Sequence, residues 1–457
     1  MRHPSHGPGH SAAADPGMEA LAAELERAIG RSAPVAMRGR VGQAVGLTIE
    51  ATGIQARIGE LCELATPGEP SAWAEVVGFR HNTALLTPLG PMTGISMATE
   101  VLPAGRGLRC PVGPGLLGRV LDALGNPIDG GGPLAGQGRM PVHREAVAPL
   151  SRRPVQQPFA TGLRAIDGLL TMGLGQRIGV FAPPGVGKST LLGMLARGSN
   201  AQVNVIALVG ERGREVQEFV QHNLGAAGLA RSVLVVSTSD RPAMERIKCA
   251  QVATTIAEYF RDQGQSVLLL VDSLTRFARA QREVGLASGE PPTRRSYPPS
   301  VFSLLPQLLE RAGQGTQGSI TAVYSVLTEG EDDSDPIAEE VRSIVDGHLV
   351  LSRRLAEAGQ FPAIDVLASV SRVMPQVTDA AHRADAAQVR KLLSRHRELE
   401  LLLQIGEYKP GQDALSDRAV QAFPALQAFL AQGQGDSVAL AETLATLRGL
   451  AQGAKDS

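Results

Sequence analysis

The stretch RIGVFAPPGVGKSTLLGMLAR (177–197) decides the fold. Its apolar opening, 177–182, reads as a strand, a Pro- and Gly-rich turn follows, and the text then takes helical spacing. The turn matches the pattern GxxxxGK[ST] with Ala182 in place of the first glycine. In a strand–loop–helix setting, backbone N–H groups of residues 185–189 can surround phosphate oxygens at a helix N-terminus, where the dipole also favours anions. Lys188 is then expected to reach the β- and γ-phosphates and the Ser189 hydroxyl to bind Mg²⁺. Pro184, Gly185, Val186, Gly187 and Thr190 complete the cradle. Pro183 and Pro184 have no N–H, but they precede the tightest part of the loop and stiffen it. The bland alternative is a glycine-rich turn with no ligand.

A phosphate site of this kind needs a second strand ending in Asp to organise the metal. VLLLVD (267–272) supplies Asp272, and the next residue is Ser273 rather than Glu. A water-activating carboxylate must therefore come from another strand end. VNVIALVG (203–210) runs into Glu211 of GERGRE, and catalytic groups collect at the carboxyl ends of parallel strands. Glu211 is the candidate base, Glu215 lies one helical turn further towards the metal waters, and Arg212 can sense the γ-phosphate. From spacing alone, a solvated charged turn reads equally well. Arg276, four residues past Asp272, can face the nucleotide, although RFARAQR (276–282) also reads as a helix face. Hydrolysis also calls for a further positive charge on the γ-phosphate. Arg372 is a candidate, but on composition a surface ion pair is the simpler reading. His348 reads as a structural histidine. No NKxD guanine signature occurs, which favours ATP.

Around this block, apolar runs alternate with helical lengths from about 158 to 376, as in a mostly parallel sheet covered on both faces. The expected strands are 177–182, 203–210, 233–239, 267–273, 319–326 and AIDVLAS (363–369). Upstream, GLTIEA (46–51), WAEVVGF (73–79) and TALLTPL (83–89) are short β-like pieces broken by turns, the pattern of a small β-barrel. GRVLDALGNPIDGGGPLAGQG (118–138) reads as a linker. Residues 1–17 read as a disordered tail, followed by a short amphipathic helix at 18–29. Towards the C-terminus, Val389, Leu392, Leu393, Leu399, Leu402 and Leu403 fall at helical spacing and are expected in a helical core. The domain reading is therefore a tail and helix (1–34), a barrel (35–103), an α/β nucleotide-binding domain (104–378) and a helical domain (379–457).

Composition narrows the function classes. At 457 residues the chain is too long for one ordinary core. Net charge is -1, from 44 basic and 45 acidic residues, so no global field for nucleic acid exists. Cys62, Cys110 and Cys249 show neither zinc nor disulfide spacing, as expected in a reduced, cytoplasmic compartment. No run of about eighteen apolar residues occurs, so any membrane association is expected to be peripheral.

Longer motifs add a resemblance. GQRIGVFAPPGVGKST, GERGREVQEF, LLLVDSLTRFARAQREVGLASGEPP, YPPSVF, LTEGEDDSDP, DGHLVLSRRLAEAGQFPAIDVLASVSRVM and IGEYKPG resemble the export ATPases of bacterial type III secretion systems. These are relatives of the catalytic subunits of rotary ATP synthases. The resemblance implies an N-terminal β-barrel, a RecA-like ATPase domain and a C-terminal helical domain, assembled as a homohexamer with nucleotide between subunits. It makes Lys188 and Ser189 the phosphate and Mg²⁺ ligands, Asp272 the metal organiser and Glu211 the catalytic base. Arg372 becomes an arginine finger supplied in trans, and Tyr408 of GEYKPG an adenine-side aromatic. Implied partners are a stator or regulator at the N-terminus (placed at 18–29), a coiled-coil central stalk met by the pore loop SGEPPTRRSYPPS (288–300), export chaperones with cargo, the export gate and the cytoplasmic sorting complex. The implied location is the cytoplasmic face of the inner membrane.

Within the family, STSDRPAMERIK (237–248), AEYFRDQG (257–264) and EPPTRRSYPPSVF look like the injectisome branch. LTEGEDDSDPIAEE and SRRLAEAG look closer to the flagellar one. A rotary synthase subunit is disfavoured by Gly213, where that subunit usually carries Thr, and by the missing DELSEED-type segment. An RNA-translocating helicase is disfavoured by the balanced charge and the scarcity of aromatics.

Overall fold

The computed structural model describes residues 24–25, 37–134, 137–328 and 335–453. Apart from 24–25, the expected 18–29 helix lies outside them, as does 329–334 of the acidic motif.

Six strands close an N-terminal barrel: β1 (Gly39–Val45), β2 (Thr48–Thr52), β3 (Leu61–Ala65), β4 (Ala72–Arg80), β5 (Thr83–Pro88) and β6 (Glu100–Pro103). Their order is β1-β2-β5-β4-β3-β6. Side chains alternate across a strand, so Ile49 and Ala51, Cys62 and Leu64, Ala74 and Val76, and Ala84 and Leu86 all meet inside. Closure leaves no free edge to recruit another strand.

The central sheet contains β7 (Val120–Asp122), β8 (Arg177–Ala182), β9 (Val203–Glu211), β10 (Ser232–Thr238), β11 (Ser266–Asp272), β12 (Ser319–Leu327), β13 (Gly347–Val350) and β14 (Val370–Ser371). Across the sheet they run β14-β13-β8-β12-β11-β9-β10-β7, and the two-residue strand Gly313–Gln314 pairs with β12 off this path. Every neighbour along that order is parallel except β13 with β14. Alternation explains why these strands are apolar throughout. Val205, Ala207, Val209, Val267, Leu269 and Val271 face one core, under helices α2 (Ala243–Asp262) and α3 (Leu274–Ala287). Ile206, Leu208, Leu268 and Leu270 face the other, beside Leu191, Leu192 and Leu195 of helix α1 (Lys188–Gly198). Both faces being dry, the parallel sheet is buried on both sides.

That second core continues into three C-terminal helices, α4 (Ala380–Gln404), α5 (Ala414–Leu430) and α6 (Leu440–Gly453). Asp379 caps α4 by accepting from the His382 N–H, and Asp413 caps α5 through the N–H groups of Leu415 and Ser416. Val389, Leu392, Leu393 and Leu399 are buried as expected. Leu402 is not: it is 41% exposed, because the core contacts of α4 end before its last turn.

Two further expectations are corrected. Residues 363–369 form no strand. Pro362 leads instead into a turn in which the Asp365 carboxylate accepts from the N–H groups of Leu367 and Ala368, 3.0 and 3.1 Å away. The strand beside β8 is β13, from the DGHLVLS text. The supposed linker 118–138 also contributes β7, which ends where Asp122 accepts from the N–H groups of Leu124 and Asn126, both at 2.8 Å. The three cysteines are buried and free.

Candidate active site

The turn after β8 gets its shape from two glycines. Gly185 (φ 81°) and Gly187 (φ 85°) occupy the left-handed region, which a side chain resists. Val186 between them is buried and anchors the loop. Lys188 then opens α1, so N–H groups that no helical carbonyl can satisfy face outwards there. Pro184, Gly185 and Ser189 are exposed to at least a part and Thr190 is half-buried, which leaves the concave side of the loop open to a ligand.

Parallel alignment brings the carboxyl ends of β8, β12, β11 and β9 side by side, and the charged groups converge there. Lys188 Nζ donates to Asp272 Oδ1 and lies 3.8 Å from Glu211 Oε1. Asp272 is 2% exposed and also accepts from the Ser325 hydroxyl at 2.7 Å. Arg276 Nη1 is 2.7 Å from Glu211 Oε2 and donates to the Gly210 carbonyl. Glu211 is itself buried. Burial first, then the Asp272 charge and a hydrogen bond with Glu215, pushes its carboxyl up to about 7, while Lys188 and Arg276 pull the other way. The same contact with Glu211 holds Glu215 below the usual glutamate range. Arg212 points to solvent and pairs with Glu215 at 3.3 Å.

The hard oxygen donors present, the Ser189 hydroxyl and the Asp272 carboxylate with Glu215 nearby, suit a Mg²⁺ ion that keeps most of its waters and phosphate oxygens.

Two expected residues lie elsewhere. The Arg372 N–H bonds the Asp346 carbonyl at 3.0 Å, and the Asp346 N–H bonds the Arg177 carbonyl at 2.8 Å. Arg372 therefore sits at the amino end of β8, whereas the P-loop follows its carboxyl end. Five residues of strand, roughly 17 Å, separate the two. Its exposed guanidinium donates to the carbonyls of Val345 and Arg342 at 3.3 and 3.4 Å. Tyr408 occupies the turn between α4 and α5, its hydroxyl donating to Asp417. Among the described residues, no hydrogen bond or ring contact joins it to the P-loop.

Three residues were not anticipated. A methyl group at Gly187 would lie 3.5 Å from the ring of Phe361, which is 45% exposed. A phenylalanine before a proline, in a chain with 3% aromatics, was the available signal. Ser325 carried none, being one hydroxyl inside an apolar strand. Arg246 lies against Gly210 and looked like one more charge on a helix.

Known proteins share this plan. The ATP synthase alpha/beta family nucleotide-binding domain matches residues 162–371, and the beta-barrel domain of that family matches 41–105. The type III secretion EscN ATPase C-terminal domain matches 378–449. A type 3 secretion system ATPase of Xanthomonas euvesicatoria is 54% identical over 93% of this chain and 97% of its own length. The flagellum-specific ATP synthase of Pseudomonas aeruginosa is 48% identical over 93% and 96%. The assembled ATPase EscN of enteropathogenic E. coli superposes with a TM-score of 0.86 at 47% identity, covering 90% of this chain and all of EscN. EscN in complex with its central stalk EscO gives 0.84 at 46%, again over 90% of this chain and all of EscN. All three domains thus recur together, and the chain belongs to the type III secretion system ATPases, P-loop enzymes of the ATP synthase alpha/beta family.

Proposed function

We propose that this chain hydrolyses Mg·ATP between neighbouring copies of itself and couples the turnover to protein export through an injectisome. One observation carries the reading. Lys188, Asp272, Glu211 and Arg276 converge at the carboxyl end of the sheet, while Arg372 stands roughly 17 Å away at its amino end. A γ-phosphate on one P-loop can meet an Arg372 only from a second copy.

In this reading the N–H groups of residues 185–189 and Lys188 hold the phosphates. Ser189 and Asp272, with Glu215 nearby, would hold Mg²⁺, which would neutralise charge on the phosphate oxygens. Glu211 orients the attacking water and accepts its proton, and a carboxyl poised at about 7 is matched to that task. Arg276 steadies Glu211. Arg212, exposed on the next turn, swings to the γ-phosphate, and Arg372 of the neighbour neutralises charge developing there. The Phe361 ring beside Gly187 is a platform for adenine, with Tyr408 a second adenine-side aromatic.

The assembled EscN and its stalk complex support a homohexameric ring around a coiled-coil stalk, which the 288–300 loop would meet. A stator or regulator on the N-terminal segment, chaperones with their cargo, the export gate and the sorting complex complete the partners. ATP turnover then serves chaperone release and cargo unfolding at the cytoplasmic face of the inner membrane. Among the described residues no helix is long and apolar enough to cross a membrane. Two type 3 secretion system ATPases at 54% identity stand above the flagellar relatives at 48–50% and support the injectisome, while two others at 48% fall within the flagellar range; a flagellar export ATPase is the second reading.

Glu211→Gln tests the chemistry. It should keep binding of a fluorescent ATP analogue and lose turnover on the order of 100-fold or more. Normal hydrolysis would remove Glu211 from the mechanism. Placed on the chromosome, the same variant should abolish effector secretion and spare swimming; the reverse outcome assigns the chain to the flagellum.

A further inference from the structure

Helix α3 is fastened on one face at two points. Arg276 and Glu283 are seven residues apart, two turns, and so share that face. Arg276 reaches Glu211; Glu283 Oε2 accepts from Arg246 Nη2, on the first turn of α2, at 2.6 Å. The two fastenings meet at Gly210, whose φ is 67°. A methyl group there would lie 3.1 Å from Arg276 Cδ and 3.5 Å from Arg246 Cδ, so both arginine stems pack on this one glycine. The Arg246 side chain is 15% exposed and that of Glu283 41%. Arg246 Nε is fully buried with no hydrogen-bond partner, so the side chain is held by packing and by Glu283.

We propose that Arg246 is a positioning residue for ATP hydrolysis: held by Glu283, its stem packs beside Gly210 and keeps Arg276 aimed at Glu211. The inference rests on the reading of Glu211 and Arg276 as hydrolytic groups. An arginine has several rotatable bonds, and its aim is only as good as the packing that fixes them. Gly210 supplies no side chain to do this, and the Arg246 methylenes fill the space beside it. Two guanidinium groups packed on one glycine also repel, so each needs its own carboxylate. Glu283 keeps Arg246 from competing with Arg276 for Glu211.

The test is steady-state turnover of Mg·ATP by the full chain, at a protein concentration where specific activity no longer changes. Arg246→Met should lower kcat roughly ten- to a hundredfold, as misplacement of a reacting group does, with KM within about twofold. Glu283→Gln, an isosteric change at a half-exposed carboxylate that leaves folding intact, should lower kcat in the same direction. In an Arg276→Met background neither change should add a further loss, because both act through Arg276. Unchanged kcat in Arg246→Met with a lowered melting temperature would overturn the proposal, as would losses that simply multiply in the double variants. Full turnover in Arg276→Met alone would instead sink the underlying reading of Arg276.

Discussion

The two ends of strand β8 carry opposite kinds of charge arrangement. At the carboxyl end, two buried carboxylates meet two cations in one chain of contacts: Asp272 pairs with Lys188, and Glu211 lies between Lys188 and Arg276. At the amino end, Arg177 is matched by Asp346 at 3.2 Å and by Glu310, and Glu310 also takes Arg152 at 3.2 Å. These pairs hold Arg177 above the usual arginine range, even against its burial. Arg372, beside them, has only backbone carbonyls among the described residues. The first end is a crowded set of charges that a polyphosphate would rearrange. The second is a settled network with one exposed cation left over. In the proposed function each is half of a hydrolytic site, and a single copy would then be incomplete.

The largest effect expected from breaking this comparison is at the P-loop. Lys188→Ala should abolish measurable turnover and weaken ATP binding together, since its ammonium serves ground and transition states alike. Turnover near normal would mean the carboxyl end is not the phosphate site. At the amino end, Arg372→Ala should cut kcat about a thousandfold, the scale of a lost arginine finger. Binding of ATP by the isolated chain should be untouched. A weakened affinity in dilute monomer would place Arg372 in its own chain's site.

Asp167 lies in neither end and serves as the control. Its buried carboxylate accepts from Thr161 N–H and Oγ1 and from Gly162 N–H at 2.7–3.0 Å. Burial outweighs these bonds and raises its pKa from 3.8 to about 6. A raised pKa means the stabilisation is complete below about pH 4 and is lost as pH rises through 6. The stability advantage of wild type over Asp167→Asn should therefore shrink by about 2 kcal/mol between pH 4 and 7. Denaturant titrations at several pH values check this; a constant difference would contradict it. Smallest is Phe361→Ala, which should raise KM for ATP roughly tenfold with kcat little changed, about the worth of one lost aromatic contact. A loss in kcat alone would take Phe361 off the adenine side.

Much of the carboxyl end was legible because its chemistry is written in contiguous text. A glycine loop must precede Lys188, and an apolar run must precede Asp272 and Glu211. The role of Ser325 needed the register of β12 beside β11, which no local pattern encodes. Residues 363–369 show why strand text misleads: their apolar side chains face the core from a turn, fixed by Asp365 and by the Arg397 guanidinium 2.8 Å from it. Arg372 was legible as a candidate by its motif. Its position at the far end of the sheet depends on β14 pairing antiparallel with β13, a reversal invisible in composition.

The measurement that bears most directly on the two-ended site is complementation between its halves. Arg372→Ala and Glu211→Gln chains, each inactive alone, are mixed into rings and assayed for ATP hydrolysis. Interfaces that pair an intact Arg372 with an intact Glu211 should restore a fraction of wild-type turnover that follows the mixing ratio. No recovery in rings proven to contain both chains would contradict a site shared between neighbours.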